Sequence, residues 1–255
     1  MKIQAFIFNW VGYEANAAAL EQSLSSVGTV HVINSDSTVE CRHPGWHHLG
    51  DEAYFAAQWN KALELFDGDV LFHIQADASF TQFAELFERC RFAVDHCGCG
   101  VYAPNVDFTF WNYDRNRLRP IDADLFEVPQ TDCTCWAVAR EVLQRVPRVD
   151  PRINKIGWGL DWMVVAAART IQKKVARDYR FTVAHPKKTG YKIGQAQRDM
   201  AAMLETAPPQ ARSALRKLRK EALSKLPRPP HPTLQKALGF VKPWAGRLFD
   251  TFHKP

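Results

Sequence analysis

The run DVLFHIQAD occupies residues 69–77. Its centre, from Val70 to Ile74, is mostly apolar. A turn, Asp67-Gly68-Asp69, precedes it, and Gln75-Ala76-Asp77 closes it. A short apolar run bounded by turn residues is the pattern of a strand buried on both faces. Upstream, residues 54–66 place Phe55, Trp59, Ala62, Leu63 and Phe66 at helical spacing, and downstream residues 80–92 repeat that pattern. The alternation continues outward. Residues 3–8 read as a strand, 15–24 as a helix, 29–33 as a strand ending at Asn34-Ser35-Asp36, and 100–106 as a further strand. Strands alternating with helices of this length predict an α/β layer with a mixed, mostly parallel sheet and flanking helices. Right-handed crossovers then bring the C-terminal ends of parallel strands to one edge, where open α/β sheets bind ligands. Asn9, Asp36 and Asp77 each fall just past a strand end.

The second half is less regular. Residues 108–119 (FTFWNYDRNRLR) suit a short strand pair or loop. Residues 125–131 read as a strand, 137–146 as a helix stopped by Pro147, and 174–184 as a strand ended by His185-Pro186. Between them, NKIGWGLDW at 154–162 is a glycine-rich turn that opens an apolar helix over residues 163–171.

A chain of 255 residues is long enough to bury a core without disulfides or a structural metal. Hydrophobic residues at 46% and charged residues at 24% exclude disordered and fibrous classes. No apolar run approaches the ~18–20 residues that span a bilayer. The N-terminus lacks a signal-peptide cleavage pattern and reads as the first core strand of a cytoplasmic protein. Six cysteines, at 41, 90, 97, 99, 133 and 135, show no C-x₂-C spacing. Reduced, mostly buried thiols fit this pattern; a zinc site drawing on His43, His47 and His48 is the other reading.

The net charge of +6 is unevenly placed. Residues 208–255 hold 11 Lys and Arg against Glu221 and Asp250, whereas the first 207 residues hold 22 basic against 25 acidic side chains. A slightly acidic body with a basic appendage argues against a nucleic-acid partner. It divides the chain into a domain at 1–207 and a tail at 208–255. Within the tail, residues 210–226 read as a basic helix. Residues 233–252 set Leu234, Leu238, Val241, Trp244, Leu248 and Phe252 in one apolar stripe beside Lys236, Lys242 and Arg247. That pattern is read as an amphipathic helix on an anionic membrane surface, ahead of the other reading, a helix packed on the domain or on a second subunit.

Several pieces, in order, resemble the GT-A-fold glycosyltransferases, closest to the inverting, family-2-like bacterial enzymes. Residues 3–9 resemble the first strand, and VINSDST (32–38) the segment that contacts the nucleotide base. QWNKA (58–62) resembles the helix before the metal motif, and DVLFHIQAD the strand that ends in Asp-x-Asp. GWGLDW (157–162) resembles the Gly-Trp-Gly-x-Asp element, and VAHPKKTGY (183–191) the late strand whose histidine completes a metal site. The chain departs from the family at Gln75, where the first Asp of Asp-x-Asp would stand, and at Leu160, where the usual acidic pair has one member.

The resemblance implies a Rossmann-like, nucleotide-diphospho-sugar transferase fold. It implies an inverting hexosyltransferase-like enzyme that moves a sugar from a nucleotide-sugar donor, expected to be UDP-linked, to a saccharide or lipid-linked saccharide in bacterial surface polysaccharide synthesis; the basic tail adds the expectation of a cytoplasmic protein peripheral to the inner face of the cell membrane. Breaking the anomeric C–O bond loads negative charge on the diphosphate, which Mn²⁺ or Mg²⁺ offsets. Asp77 and His185 are the expected metal ligands and Asp161 the expected general base. Asn9, Asp36, Asn60, Gln75, Asp77, Lys188 and Tyr191 are the expected donor and cofactor contacts. Trp158, Trp162, Asp132 and Trp111 are expected on the substrate side. Each also has a plainer reading: Asp77 as a helix N-cap, Asp161 as a partner of the helix dipole, His185 as a satisfied loop histidine, Asp132 as a cap, Trp158 and Trp162 as core aromatics, Trp111 as a surface aromatic, and the Lys187-Lys188 loop as a solvated surface. Two other functions are weighed. A sugar-phosphate nucleotidyltransferase needs a phosphate loop after the first strand, and NWVGYE (9–14) lacks one. A decayed scaffold or carbohydrate-binding protein at the membrane would account for Gln75 and Leu160.

Overall fold

The computed structural model describes residues 1–109, 116–186 and 192–225. Nine strands among these form one mixed sheet, ordered β3-β2-β1-β4-β8-β5-β9-β7-β6. Strand β1 (Ile3–Trp10) pairs in parallel with β2 (Thr29–Ser35) and β4 (Val70–Gln75). The two-residue β3 (His47–His48) extends the sheet beyond β2. β8 (Cys135–Ala139) runs antiparallel between β4 and β5 (Cys99–Val106), and β9 (Lys174–Val183) lies parallel to β5. β7 (Leu125–Glu127) and β6 (Arg119–Pro120) finish the far edge.

Both faces of the sheet are covered, which is why the central strands are apolar without a break. Along β1, Phe6 and Phe8 join the core on one face, while Ile3, Ala5 and Ile7 join the core on the other. The first core is closed by α2 (Phe55–Leu65), the short α4 (Arg140–Leu143) and α5 (Leu160–Thr170). The second is closed by α1 (Glu14–Ser25) and α3 (Phe83–Asp95), through Ala17, Leu20, Leu24, Phe83, Leu86 and Phe87.

One central element differs from its sequence pattern. Residues 137–146 do not form a helix: CWAVA at 135–139 is strand β8, and helix occupies only Arg140–Leu143. Trp136 and Val138 face one core while Cys135 and Ala137 face the other. A short run buried on both sides carries no alternation to separate strand from buried helix. The strand expected over 125–131 shortens to Leu125–Glu127; Pro129, without an N–H, cannot extend the ladder.

Two further helices complete the described chain. α6 (Ile193–Glu205), which the sequence pattern does not mark, buries Ala196, Met200 and Met203. α7 (Pro209–Lys225) packs against α5, with Leu215 and Leu218 in the core and Arg169 Nη1 3.2 Å from Glu221 Oε2. The basic stretch from Gln210 to Lys225 therefore rests on the body. The apolar stripe at 233–252 lies outside the described residues. Among the described residues no helix is long and apolar enough to cross a membrane.

Candidate active site

The topology gathers several chain segments at one rim. β1, β2 and β4 run parallel, so Asn9, Asn34 and Gln75 end at the same level. β8 enters from that rim because it is antiparallel to β4, which puts Asp132 and Cys133 there. The Gln75 N–H donates to Thr134 O (3.0 Å). β5 and β9 leave at the same rim, delivering Asp107 and His185. Asp161 arrives on the first turn of α5.

Asp77 and His185 meet. His185 Nε2 lies 3.5 Å from Asp77 Oδ2, and both side chains are largely buried. A two-residue bridge holds their segments together: Ser79 N–H donates to Ala184 O (2.9 Å), and Ala184 N–H to Ser79 O (3.1 Å). The His185 N–H donates to Asp107 Oδ1 (2.9 Å), fixing the loop from the other side. Burial pushes the His185 imidazole down, but the Asp77 carboxylate at hydrogen-bond range, with Asp132 and Asp107 farther off, outweighs it and raises the imidazole above its ordinary value.

Asp132 and Asp161 stand beside this pair. Asp132 Oδ1 accepts from the Thr134 N–H (3.1 Å), so it closes a turn into β8 rather than capping a helix. Its Oδ2 lies 3.8 Å from the guanidinium of the fully buried Arg177, which also donates to Thr131 Oγ1 (2.9 Å). The Asp161 carboxyl is pushed up to about 7: burial is the main cause and the nearby Asp132 charge adds to it, while hydrogen bonds from the Trp162 N–H and the Gln130 amide oppose it. A carboxyl balanced near neutrality can take up a proton and return it.

The glycines of GWGLDW have a local cause. Gly157 and Gly159 sit at φ +84° and +85°, and Gly159 is the N-cap of α5. A Cβ on Gly157 would stand 2.7 Å from Phe55 Cδ1, and one on Gly159 2.6 Å from Met200 Cγ. Asn154 ties the turn, donating to Trp158 O (2.8 Å) and accepting from the Gly157 N–H (2.9 Å). Trp158 and Trp162 are half-buried, and Trp162 also packs on the core.

The remaining expected contacts fall into three groups. Asn9 and Asp36 are at the rim but turned inward. Asn9 Nδ2 donates to Asn34 Oδ1 (2.7 Å), and Asp36 Oδ1 accepts from Thr38 N (3.0 Å) and Thr38 Oγ1 (2.6 Å). Gln75 is half-buried at the end of β4. Asn60 does not join the rim: its carboxamide donates to Val149 O (2.6 Å) and accepts from Val149 N (3.1 Å). Trp111, Lys188 and Tyr191, with Tyr113 and Lys187, lie outside the described residues. Sequence reasoning misses Asp107, Gln130, Asn34 and Gln58. Asp107 sits past a strand end just as Asp77 does, so the same rule applied to β5 finds it. Gln58 donates to Asn9 O (2.8 Å) from the middle of α2, and Gln130 sits in a loop; neither leaves a local signal.

A divalent cation fits the Asp77–His185 pair. Asp77 Oδ1 and His185 Nδ1 are buried without a hydrogen-bond partner, and the two facing atoms are close enough to share one ion. Among the described residues no three His, Cys, Asp or Glu side chains form a ready-made cage. The protein side of such a site is thus one carboxylate and one imidazole, leaving places for water and phosphate oxygens, as hard cations at phosphate sites prefer.

No protein-family model matches the chain, nor does any curated protein. Solved structures do. Glucosyl-3-phosphoglycerate synthase from Mycobacterium tuberculosis, solved with Mn²⁺, UDP and phosphoglyceric acid, superposes with a TM-score of 0.55 at 15% identity, over 81% of this chain and 80% of that one. S. aureus TarS, residues 1–349 with UDP-GlcNAc, gives 0.53 at 14% identity, over 94% and 76%. GalNAc-T7 with UDP, GalNAc and Mn²⁺ gives 0.57 at 13% identity, over 92% of this chain and 53% of that one. The architecture these enzymes share with the nine-stranded sheet and its flanking helices is the GT-A fold, and this chain has it.

Proposed function

We propose that the protein is a metal-dependent, inverting glycosyltransferase that moves a sugar from a UDP-sugar to a saccharide acceptor. One observation carries the reading: Asp77 and His185 face each other at 3.5 Å on the rim that also holds Asp132 and a near-neutral Asp161. The three similar structures contain UDP or a UDP-sugar, and two of them Mn²⁺, which supports the same reading.

Asp77 and His185 would hold Mn²⁺ or Mg²⁺, which when bound offsets the charge that builds on the diphosphate leaving group. His185 would hold the ion as a neutral imidazole. Asp161 accepts the proton of the attacking acceptor hydroxyl at its carboxylate. Direct attack on the anomeric carbon inverts its configuration. Asp132 orients a sugar hydroxyl, and the indoles of Trp158 and Trp162 offer apolar surface to the C–H face of a sugar ring. Gln75 contributes an uncharged oxygen where the resembled family has a carboxylate.

The acceptor we infer is a lipid-linked saccharide of a bacterial surface polysaccharide. The basic, apolar stripe of residues 233–252 supports this, since such a segment suits an anionic leaflet. Gln75 and Leu160 favour a second reading, a scaffold that binds sugars without turnover. Incubation with a panel of nucleotide sugars and Mn²⁺ separates the two. Slow donor hydrolysis, lost in Asp161→Asn, supports the enzyme; Mn²⁺-dependent binding with no release of nucleoside diphosphate supports the scaffold.

A further inference from the structure

Asp77 is not placed by its own strand, because β4 ends two residues earlier, at Gln75. Beyond the strand end the chain makes a tight turn: Ala76 N–H donates to Phe8 O (3.0 Å) and Ala78 N–H to Gln75 O (3.0 Å). The carbonyls on either side of Asp77 point the other way, toward α1. There the single Nδ2 of Asn16 donates to both, at 2.5 Å to Ala76 O and 2.8 Å to Ala78 O. Ala76 and Ala78 are fully buried, so water cannot easily replace this donor. Asn16 is itself held by its helix, whose Ala17, Leu20 and Leu24 are set in the core.

We propose that Asn16 is a positioning residue for the metal ligand: its carboxamide bridges the carbonyls of Ala76 and Ala78, the two residues that flank Asp77, and so sets the direction of that carboxylate toward His185. The inference rests on the donor-site reading above and deepens it. It assigns a role in that site to a residue about sixty positions upstream, in a helix that supplies none of the metal ligands. The physical ground is preorganisation. A ligand on an otherwise irregular turn must be ordered when the ion binds, and two fixed peptide planes remove that requirement.

The test is Mn²⁺ binding in the presence of UDP, measured by the loss of the free Mn²⁺ resonance signal, on the full chain and its variants. Asn16→Asp keeps the shape but replaces the donor by an acceptor facing two carbonyls. Asn16→Ala removes the group, and Asn16→Gln keeps an amide donor. Gln4→Ala is the control: it too deletes a buried carboxamide that bonds two backbone groups, Asp67 N–H and Gly68 N–H, but at the opposite edge of the sheet. The expected result is a loss of about 10- to 100-fold in Mn²⁺ affinity for Asn16→Asp and Asn16→Ala, partial recovery in Asn16→Gln, and no change in Gln4→Ala at a comparable fall in Tm. Affinity within twofold of wild type in folded Asn16→Asp or Asn16→Ala overturns the inference alone. So does an equal loss in Gln4→Ala. Should neither Asn16→Asp nor Asn16→Ala fold, an Asn16→Gln affinity within twofold of wild type overturns it. Absence of Mn²⁺ binding in the wild-type chain overturns the donor-site reading itself, and the inference with it.

Discussion

Ala184 and Ser79 exchange both backbone hydrogen bonds, and each lies within two residues of the pair it aligns, His185 and Asp77. β4 and β9 are not neighbours in the sheet; β8 and β5 stand between them. The two loops must arch over those strands to meet, and this bridge fastens the arch. It turns a distant pair in the sequence into a facing pair at the rim.

Ser79→Pro should therefore act on the site through the backbone. Ser79 is exposed, so its side chain is dispensable, but proline removes one of the two bridging N–H groups. We expect a cost of about 1–3 kcal/mol in chemical denaturation and at least a tenfold loss of Mn²⁺ affinity. Unchanged affinity would show that the bridge does not align the pair.

Asp161 predicts a pH-dependent stability. Its carboxyl ionises near 3.8 in the unfolded chain and about 7 in the folded one. Between those values the unfolded state sheds the proton and the folded state keeps it. Folding is thus penalised progressively as pH rises from about 4 to about 7, and the full penalty stands above that window. Asp161→Asn, which cannot ionise, should be more stable than wild type at pH 8, with the gap closing toward pH 4. Thermal unfolding across this range checks it; a gap independent of pH would place Asp161 in a solvated setting.

The same group predicts a rate profile. Turnover should climb with pH and level off once Asp161 is ionised, near pH 7. Asp161→Asn should keep donor binding yet lose about 10²–10⁴-fold in kcat, the usual contribution of a general base. Near-normal turnover in that variant would assign the base elsewhere.

Gly159→Ala should damage the site from beneath. The new Cβ would meet Met200 Cγ at 2.6 Å on a backbone at φ +85°. The left-handed conformation alone costs about 1–2 kcal/mol, and displacement of Met200 adds to it. We expect a loss of about 2–3 kcal/mol on denaturation, with the N-terminus of α5, and so Asp161, shifted. Stability equal to wild type would contradict both the backbone strain at Gly159 and the contact with Met200.

The parts legible in the sequence are those with a period or a boundary. β1, β2 and β4 show as apolar runs closed by polar residues, and that same rule places Asp77 at the rim. The partnership of Asp77 with His185 comes only through family resemblance, since nothing local links residues so far apart. β8 reads as a helix because its residues are buried on both faces and leave no alternation. α6 escapes notice because few of its side chains are buried, and its contact with Gly159 depends on the folded turn. Asn60 shows the converse: its place in a familiar pattern suggests a donor contact, and its carboxamide bonds to the backbone of Val149. Side-chain amides such as Asn16 and Gln58 bond to backbone groups brought near only by the fold, so no spacing announces them.

If one divalent ion joins Asp77 and His185 to a diphosphate, nucleotide binding must depend on both side chains and on the metal. Calorimetric titration of UDP into the wild-type chain, Asp77→Ala and His185→Ala, each with and without Mn²⁺, reads this dependence directly. The wild type should bind only when Mn²⁺ is present, Asp77→Ala should not bind, and His185→Ala should bind much more weakly in the same conditions. Equal UDP affinity with and without the metal, or full Mn²⁺-dependent binding in folded Asp77→Ala, would contradict the shared ion.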